Sequence, residues 1–272
     1  MEKIIAWIVV IISAVHALLP SVPHGAPLDL DGYNLVFEDE FEGETLDTDV
    51  WYHRAEGERR TGFTSSDQVR LEDGKAIFRG EYLTDGKFGE GWYTGMIALH
   101  KKYLRGYFEI KCKCNKDRDY WSAFWLQSDN SYDHDISAGG VGGAEVDIFE
   151  AMETRYFPGI LKNSIKSTVY CNGTDVLTDH IDRQRVGKYY VKDLYGSFHT
   201  FGLKWTEKEY IFYIDGIESG RTSFGKGVST IPEYVIVSLE IPDEMHRKPD
   251  GTVTEFEVDY VKIWQTEKDI VS

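Results

Sequence analysis

Nine residues, Gly142-Gly-Ala-Glu-Val-Asp-Ile-Phe-Glu150, constrain the fold of this chain more than any other stretch. Val146, Ile148 and Phe149 are strand formers, so the three acids among them are not placed by propensity. Side chains alternate faces along a strand, which puts Glu145 and Asp147 together and gives Glu150 the opposite parity. One extra residue, a β-bulge around Ile148 or Phe149, returns Glu150 to the face of the other two, and bulges are frequent beside active sites. Three acids on one face repel and raise at least one pKa, a cost that chemistry can use. The alternative is a solvated edge strand whose charges prevent aggregation.

Two carboxyls on one surface suit glycoside hydrolysis. A retaining enzyme needs them about 5–5.5 Å apart, one as nucleophile and one as acid/base, and an inverting enzyme about 6.5–9.5 Å. On a flat strand the Glu145 and Glu150 Cα atoms stand roughly 13 Å apart. Only a concave sheet, which tilts neighbouring side chains toward one another, brings their ends to the retaining distance.

The rest of the chain fits such a sheet. Alternating apolar and polar stretches are separated by turns such as Asp73-Gly74, Asp85-Gly86, Asp215-Gly216 and Asp250-Gly251. Without a long helical period or a repeat, the pattern predicts an all-β sandwich. A chain of 272 residues buries a core as one domain of this kind. Residues 128–143 carry no strand signal; their glycines suit a loop lying close to the acid-bearing strand, at the cleft edge, and an inert excursion is the alternative.

These residues resemble glycoside hydrolase family 16. Glu-Val-Asp-Ile-Phe-Glu is similar to the E-x-D-x-x-E signature of its laminarinase-like branch. Leu35-Val-Phe-Glu-Asp-Glu-Phe41 with Leu46-Asp-Thr-Asp-Val-Trp51 resembles the opening strand. Gly106-Tyr-Phe-Glu-Ile110 and Trp121-Ser-Ala-Phe-Trp-Leu126 resemble central strands, and Val258-Asp-Tyr-Val-Lys-Ile-Trp264 a closing one. The resemblance implies a two-sheet β-jelly-roll sandwich, concanavalin A-like, with a concave substrate cleft. It implies Glu145 as nucleophile, Glu150 as acid/base and Asp147 as the assisting residue. No cofactor is needed for that catalysis. The resemblance also implies a structural calcium on the convex side, with Glu40 and Asp259 at the matching positions.

Trp121 and Trp125 share a strand face opposite Phe124 and Leu126. If one face packs the core, the other lines the cleft and offers indoles on which sugar rings stack. Burial of both tryptophans in the core is the alternative. Glu109 and Lys111 match the family's cleft-facing Glu-x-Arg pair, although lysine lacks the arginine fork; a solvated surface pair is the alternative. The segment Ser167-Thr-Val-Tyr170-Cys171 stands where laminarinases tend to have a His-Trp pair, which leaves the glucan preference open. His199 reads as structural. Cys112 and Cys114 point into the core, and Cys171 either pairs with one of them or stays reduced.

Lys3 followed by the apolar run Ile4–Leu19 reads as a secretory signal over residues 1–19, with retention as an uncleaved anchor the alternative. Residues 20–29 read as a short linker, and 30–268 as the catalytic domain. The expected protein is a monomer, secreted or at the cell surface, and free of the membrane once the signal is removed. A net charge of −16 opposes nucleic acid and anionic membranes and weighs against heavily sulfated polysaccharides. The partner is then a polysaccharide substrate. The function expected is retaining endo-hydrolysis of β-1,3-glucan such as laminarin. The alternatives are hydrolysis of a mixed-linkage β-glucan or a galactan, a transglycosylase, and a non-catalytic lectin-like sandwich.

Overall fold

The computed structural model describes residues 20–116, 119–129, 140–151, 163–172, 181–224, 227–245 and 248–270. Its strands, in chain order, are β1 (Asn34–Asp39), β2 (Trp51–His53), β3 (Gly57–Arg59), β4 (Gly62–Thr64), β5 (Val69–Leu71) and β6 (Ala76–Leu83). They continue with β7 (Gly91–Thr94), β8 (Met96–Leu99), β9 (Gly106–Lys113), β10 (Trp121–Gln127), β11 (Glu145–Glu150) and β12 (Ser164–Asn172). The last six are β13 (Ile181–Tyr190), β14 (His199–Trp205), β15 (Tyr210–Ile214), β16 (Ile217–Thr222), β17 (Tyr234–Glu240) and β18 (Thr254–Gln265). The expected all-β sandwich is present. One sheet runs β13-β12-β11-β10-β17-β8-β2, and the larger runs β16-β15-β14-β9-β18-β6-β7-β4-β3, with β1 on β18 and β5 on β6.

Strand alternation builds the layer between the sheets. From the larger sheet come Phe108, Ile110 and Cys112 of β9, Phe201 of β14 and Phe256 of β18. From the smaller come Phe124 and Leu126 of β10 and Val146, Ile148 and Phe149 of β11. Each large side chain removed from water contributes about 1.5–3 kcal/mol. Phe149 stacks on Phe201 with ring centroids 4.1 Å apart, tying β11 to the opposite sheet.

A second, smaller apolar cluster lies on the other face of the seven-stranded sheet. Met96, Ala98, Trp121, Ala123, Trp125 and Ile236 form it, with Tyr52 and Tyr234 packed beside them. This face becomes the cleft floor. The segment read as a linker hydrogen-bonds to strand edges: Ser21 N–H to Lys188 O at 2.9 Å, Gly25 N–H to Glu218 O at 3.0 Å and Leu28 N–H to Gly216 O at 2.8 Å. The signal reading, residues 1–19, and most of the loop read at the cleft edge, residues 130–139, lie outside the described residues.

Candidate active site

β11 lies between β10 and β12 and carries the bulge that its parity demands. On β10, Phe124 faces Phe149 while Trp125 faces Asp147, so Ile148 has no counterpart there. On β12, Thr168 faces Asp147 and Lys166 faces Glu150, so two residues of β11 oppose the single Ser167. Ile148 and Phe149 therefore both enter the core, and Glu150 rejoins the face of Glu145 and Asp147. The Ser167 hydroxyl donates to the Ile148 carbonyl at 2.8 Å, satisfying an acceptor at the bulge.

The three acids open into one cavity of about 150 Å³, lined by Trp121, Ala123, Trp125, Tyr170, Glu240, Arg59 and Arg60. Gln127 donates from Nε2 to Glu145 Oε2 at 2.7 Å, which fixes that carboxylate from the side of β10. Burial pushes Asp147 well above the usual carboxylate range, and the charges of Glu150 and Glu145 add to the effect. Glu150 is pushed up to about 7, chiefly by burial; Lys166 opposes the shift, while Glu145 and Glu240 reinforce it. A carboxyl that titrates near neutrality beside others is the arrangement used for acid/base work.

Trp121 and Trp125 are on the cleft side, as alternation requires, but little of either ring is bare: 5% and 7% exposed. The Arg60 guanidinium lies 4.9 Å from the Trp121 ring centroid, and that of Arg54 lies 5.5 Å from Trp125. Trp125 Nε1 donates to the Ser238 hydroxyl at 3.1 Å. Arg54 also donates to Gln127 Oε1, so Arg54, Gln127 and Glu145 form one chain of hydrogen bonds. Opposite Trp121 on β17 sits Glu240, buried and held by the Arg59 fork at 3.0 and 2.9 Å. Glu240 is also 3.3 Å from Arg60.

Gln127, Tyr170, Glu240, Arg59 and Arg60 were not expected from sequence. Gln127 had a signal, since it continues the row Trp121, Ala123, Trp125. Arg59 and Arg60 come from a distant turn, where Arg60 has φ of 54°, and no local pattern marks them.

One expected pair is not in the cleft. Glu109 and Lys111 belong to β9 of the larger sheet, whose alternate residues fill the core, so both point to the outer face. There Glu109 accepts from Tyr107 at 2.6 Å and Tyr260 at 2.9 Å, and Lys111 pairs with Asp259 at 2.7 Å. Glu40 and Asp259 do lie on that larger sheet's side, but each already faces an ammonium: Lys262 is 2.7 Å from Glu40. Calcium takes six to eight oxygens, and cationic neighbours oppose it. Among the described residues no group of three or more metal-binding side chains gathers, so these acids do not fit a calcium ion.

All three cysteines are buried and none is in a disulfide, so Cys171 is not bridged to Cys112 or Cys114. His199, on β14 of the larger sheet, bonds Asp215 at 2.8 Å.

Comparison with known proteins fits this geometry. Residues 34–266 match the domain described as "Beta-porphyranase A-D, GH16 domain". The endo-1,3-1,4-β-glycanase ExsH of Rhizobium meliloti is 27% identical over 185 residues, covering 66% of this chain and 35% of its own length. The chain thus spans about a third of that relative. Among solved structures, an endo-acting O-glycanase of the human gut microbiota, described as initiating mucin breakdown, superposes with a TM-score of 0.71 at 19% identity. It covers 91% of this chain and 95% of that one. SCLam, a non-specific endo-β-1,3(4)-glucanase, gives 0.69 at 20% identity, covering 91% and 97%. Likeness at such identities speaks for the jelly-roll fold; the match over residues 34–266 shows that the chain belongs to glycoside hydrolase family 16.

Proposed function

We propose that this domain is a retaining endo-glycosidase acting on a β-linked polysaccharide. The observation that carries the reading is the bulge, which sets Glu145, Asp147 and Glu150 on one wall of an open cleft. Glu145 attacks the anomeric carbon while protonated Glu150 gives its proton to the departing glycosidic oxygen. The glycosyl–Glu145 ester is then opened by water, whose proton passes to Glu150, and both acids return to their starting states. The rise of Glu150 to about 7 supports the acid role. Forming the ester removes the Glu145 charge and so eases loss of the Glu150 proton for the base step. Asp147, held protonated by burial between them, supplies a hydroxyl donor on the same face.

For the substrate, a laminarin-type β-1,3-glucan is supported by the activities named for the matched glycanase and the similar glucanase. A second reading is a porphyran-type galactan. It is favoured by the porphyranase description of the matched domain and by Tyr170 at the position read as a departure from laminarinases. Secretion is supported by the apolar leader in the sequence.

The test is incubation with laminarin, lichenan, agarose, carrageenan and porphyran, reading products by size. Endo-cleavage gives oligosaccharide ladders from one polymer, and Glu145→Gln abolishes them. Ladders that persist in Glu145→Gln overturn the reading.

A further inference from the structure

The chain of hydrogen bonds that ends on Glu145 begins far from it in the sheet. Arg54 follows β2, the edge strand of the smaller sheet, and its N–H still bonds the Met96 carbonyl of β8 at 3.0 Å. From there its side chain crosses the cleft face of β8 and β17 to reach β10. The guanidinium lies 5.0 Å from the Tyr234 ring centroid, 5.5 Å from that of Trp125 and 3.5 Å from the Tyr52 hydroxyl. Aromatic faces hold a cation by attraction to the ring, while its N–H groups point outward in the guanidinium plane. One of them donates to Gln127 Oε1.

Gln127 is buried, and its neighbours across the ladder are Glu145 on β11 and Tyr234 on β17. A carboxamide can turn over and exchange its donor and acceptor ends. Here the two partners decide its direction. A guanidinium only donates and an ionised carboxylate only accepts, so Oε1 must face Arg54 and Nε2 must face Glu145. The reversed amide would set N–H against N–H and oxygen against oxygen. The cation on its oxygen also polarises the amide, which strengthens the N–H turned to the carboxylate. An arginine keeps its charge at any working pH, so the direction is held whatever the protonation of the acids nearby.

We propose that Arg54 is a positioning residue for the nucleophile, acting through Gln127 and touching neither Glu145 nor the substrate. Gln127 holds Glu145 Oε2 at 2.7 Å and so sets the plane in which the carboxylate meets the anomeric carbon. When water opens the ester, the bond from the anomeric carbon to the Glu145 oxygen breaks and its electron pair returns to the carboxylate. The Nε2 donor is already in place to receive that charge. Without Arg54, the Tyr52 and Tyr234 hydroxyls beside the amide can both donate and accept, and they do not fix its direction. The inference rests on Glu145 being the nucleophile of the reading above.

The test is a double-mutant cycle in the full-length chain, with initial rates on whichever polymer of the panel above the unsubstituted chain cleaves. Arg54→Met should lower kcat about ten- to a hundredfold and leave KM within about twofold. Gln127→Met should lower kcat at least as far. The double variant should match Gln127→Met within about twofold, because Arg54 has nothing to act through once the amide is gone. Arg54→Lys should restore part of the rate, since an ammonium also only donates. Thermal melting checks the fold of each variant, and Arg54→Lys replaces Arg54→Met in the cycle if the latter does not fold. Losses that multiply in the double variant overturn the relay, as does an Arg54→Met enzyme with unchanged kcat or with its loss confined to KM. A chain that cleaves none of the polymers overturns the catalytic reading and the relay with it; cleavage by the unsubstituted chain with multiplying losses overturns the relay alone.

Discussion

Phe149 stacks on Phe201 across the interior of the sandwich, and the bulge that sends both Ile148 and Phe149 inward turns the next residue, Glu150, into the cleft. The bulge and the packing beside it thus accompany the position of the proposed acid. Phe149→Ala should destabilise the fold by about 3–5 kcal/mol, measured by denaturant unfolding. A milder probe is Ser167→Ala, which leaves the Ile148 carbonyl without its 2.8 Å hydroxyl donor. It should cost about 1–3 kcal/mol. It should also lower kcat between about ten- and a hundredfold through misplacement of Glu150. A Ser167→Ala enzyme with unchanged kcat contradicts the role given to the bulge.

The pH profile follows from Glu150. The proposed mechanism needs its acidic form for leaving-group departure, and burial pushes it up to about 7. The fall of kcat/KM on the alkaline side should therefore lie near pH 7. Lys166 holds the value down, so Lys166→Met should move that limb to higher pH. An alkaline limb that moves the other way, or does not move, excludes Glu150 as the titrating acid.

Glu233 gives a separate prediction about stability. It is fully buried, and its Oε1 accepts the Ala144 N–H at 3.1 Å, immediately before Glu145. Burial raises its pKa from 4.5 to about 8, with a smaller contribution from the Glu145 charge. The folded chain thus keeps a proton that the unfolded chain releases above pH 4.5. The stability held below that pH is lost as pH rises through about 8. Glu233→Gln removes this term. Melting temperature should fall more steeply from pH 5 to pH 8 in the wild type than in the variant, and parallel slopes would contradict the assignment.

Much of the site was legible because strand parity allows few solutions. Glu150 reaches the face of Glu145 only through a bulge, and Trp121 and Trp125 lie opposite core residues. Parity says which residues share a face, but not which sheet their strand joins. For that reason Glu109 and Lys111 alternate correctly with Phe108 and Ile110 and still lie on the outside, because β9 sits between β14 and β18. Glu240, Arg59 and Arg60 meet Trp121 through sheet order and a distant turn, relations that no local sequence pattern carries. Glu40 and Asp259 were placed correctly on the larger sheet's side, yet their charges are taken by Lys262 and Lys111, whose long side chains reach across strands.

The roles of the two glutamates are tested most directly by azide rescue, using a substrate whose leaving group departs without acid assistance. Glu150→Ala still forms the glycosyl–Glu145 ester, and azide opens it from the opposite face, so the account predicts a β-glycosyl azide by proton NMR. Glu145→Ala forms no ester, azide attacks the substrate itself, and the product is the α-glycosyl azide. The α-azide from Glu150→Ala with the β-azide from Glu145→Ala would contradict the account and exchange the two roles.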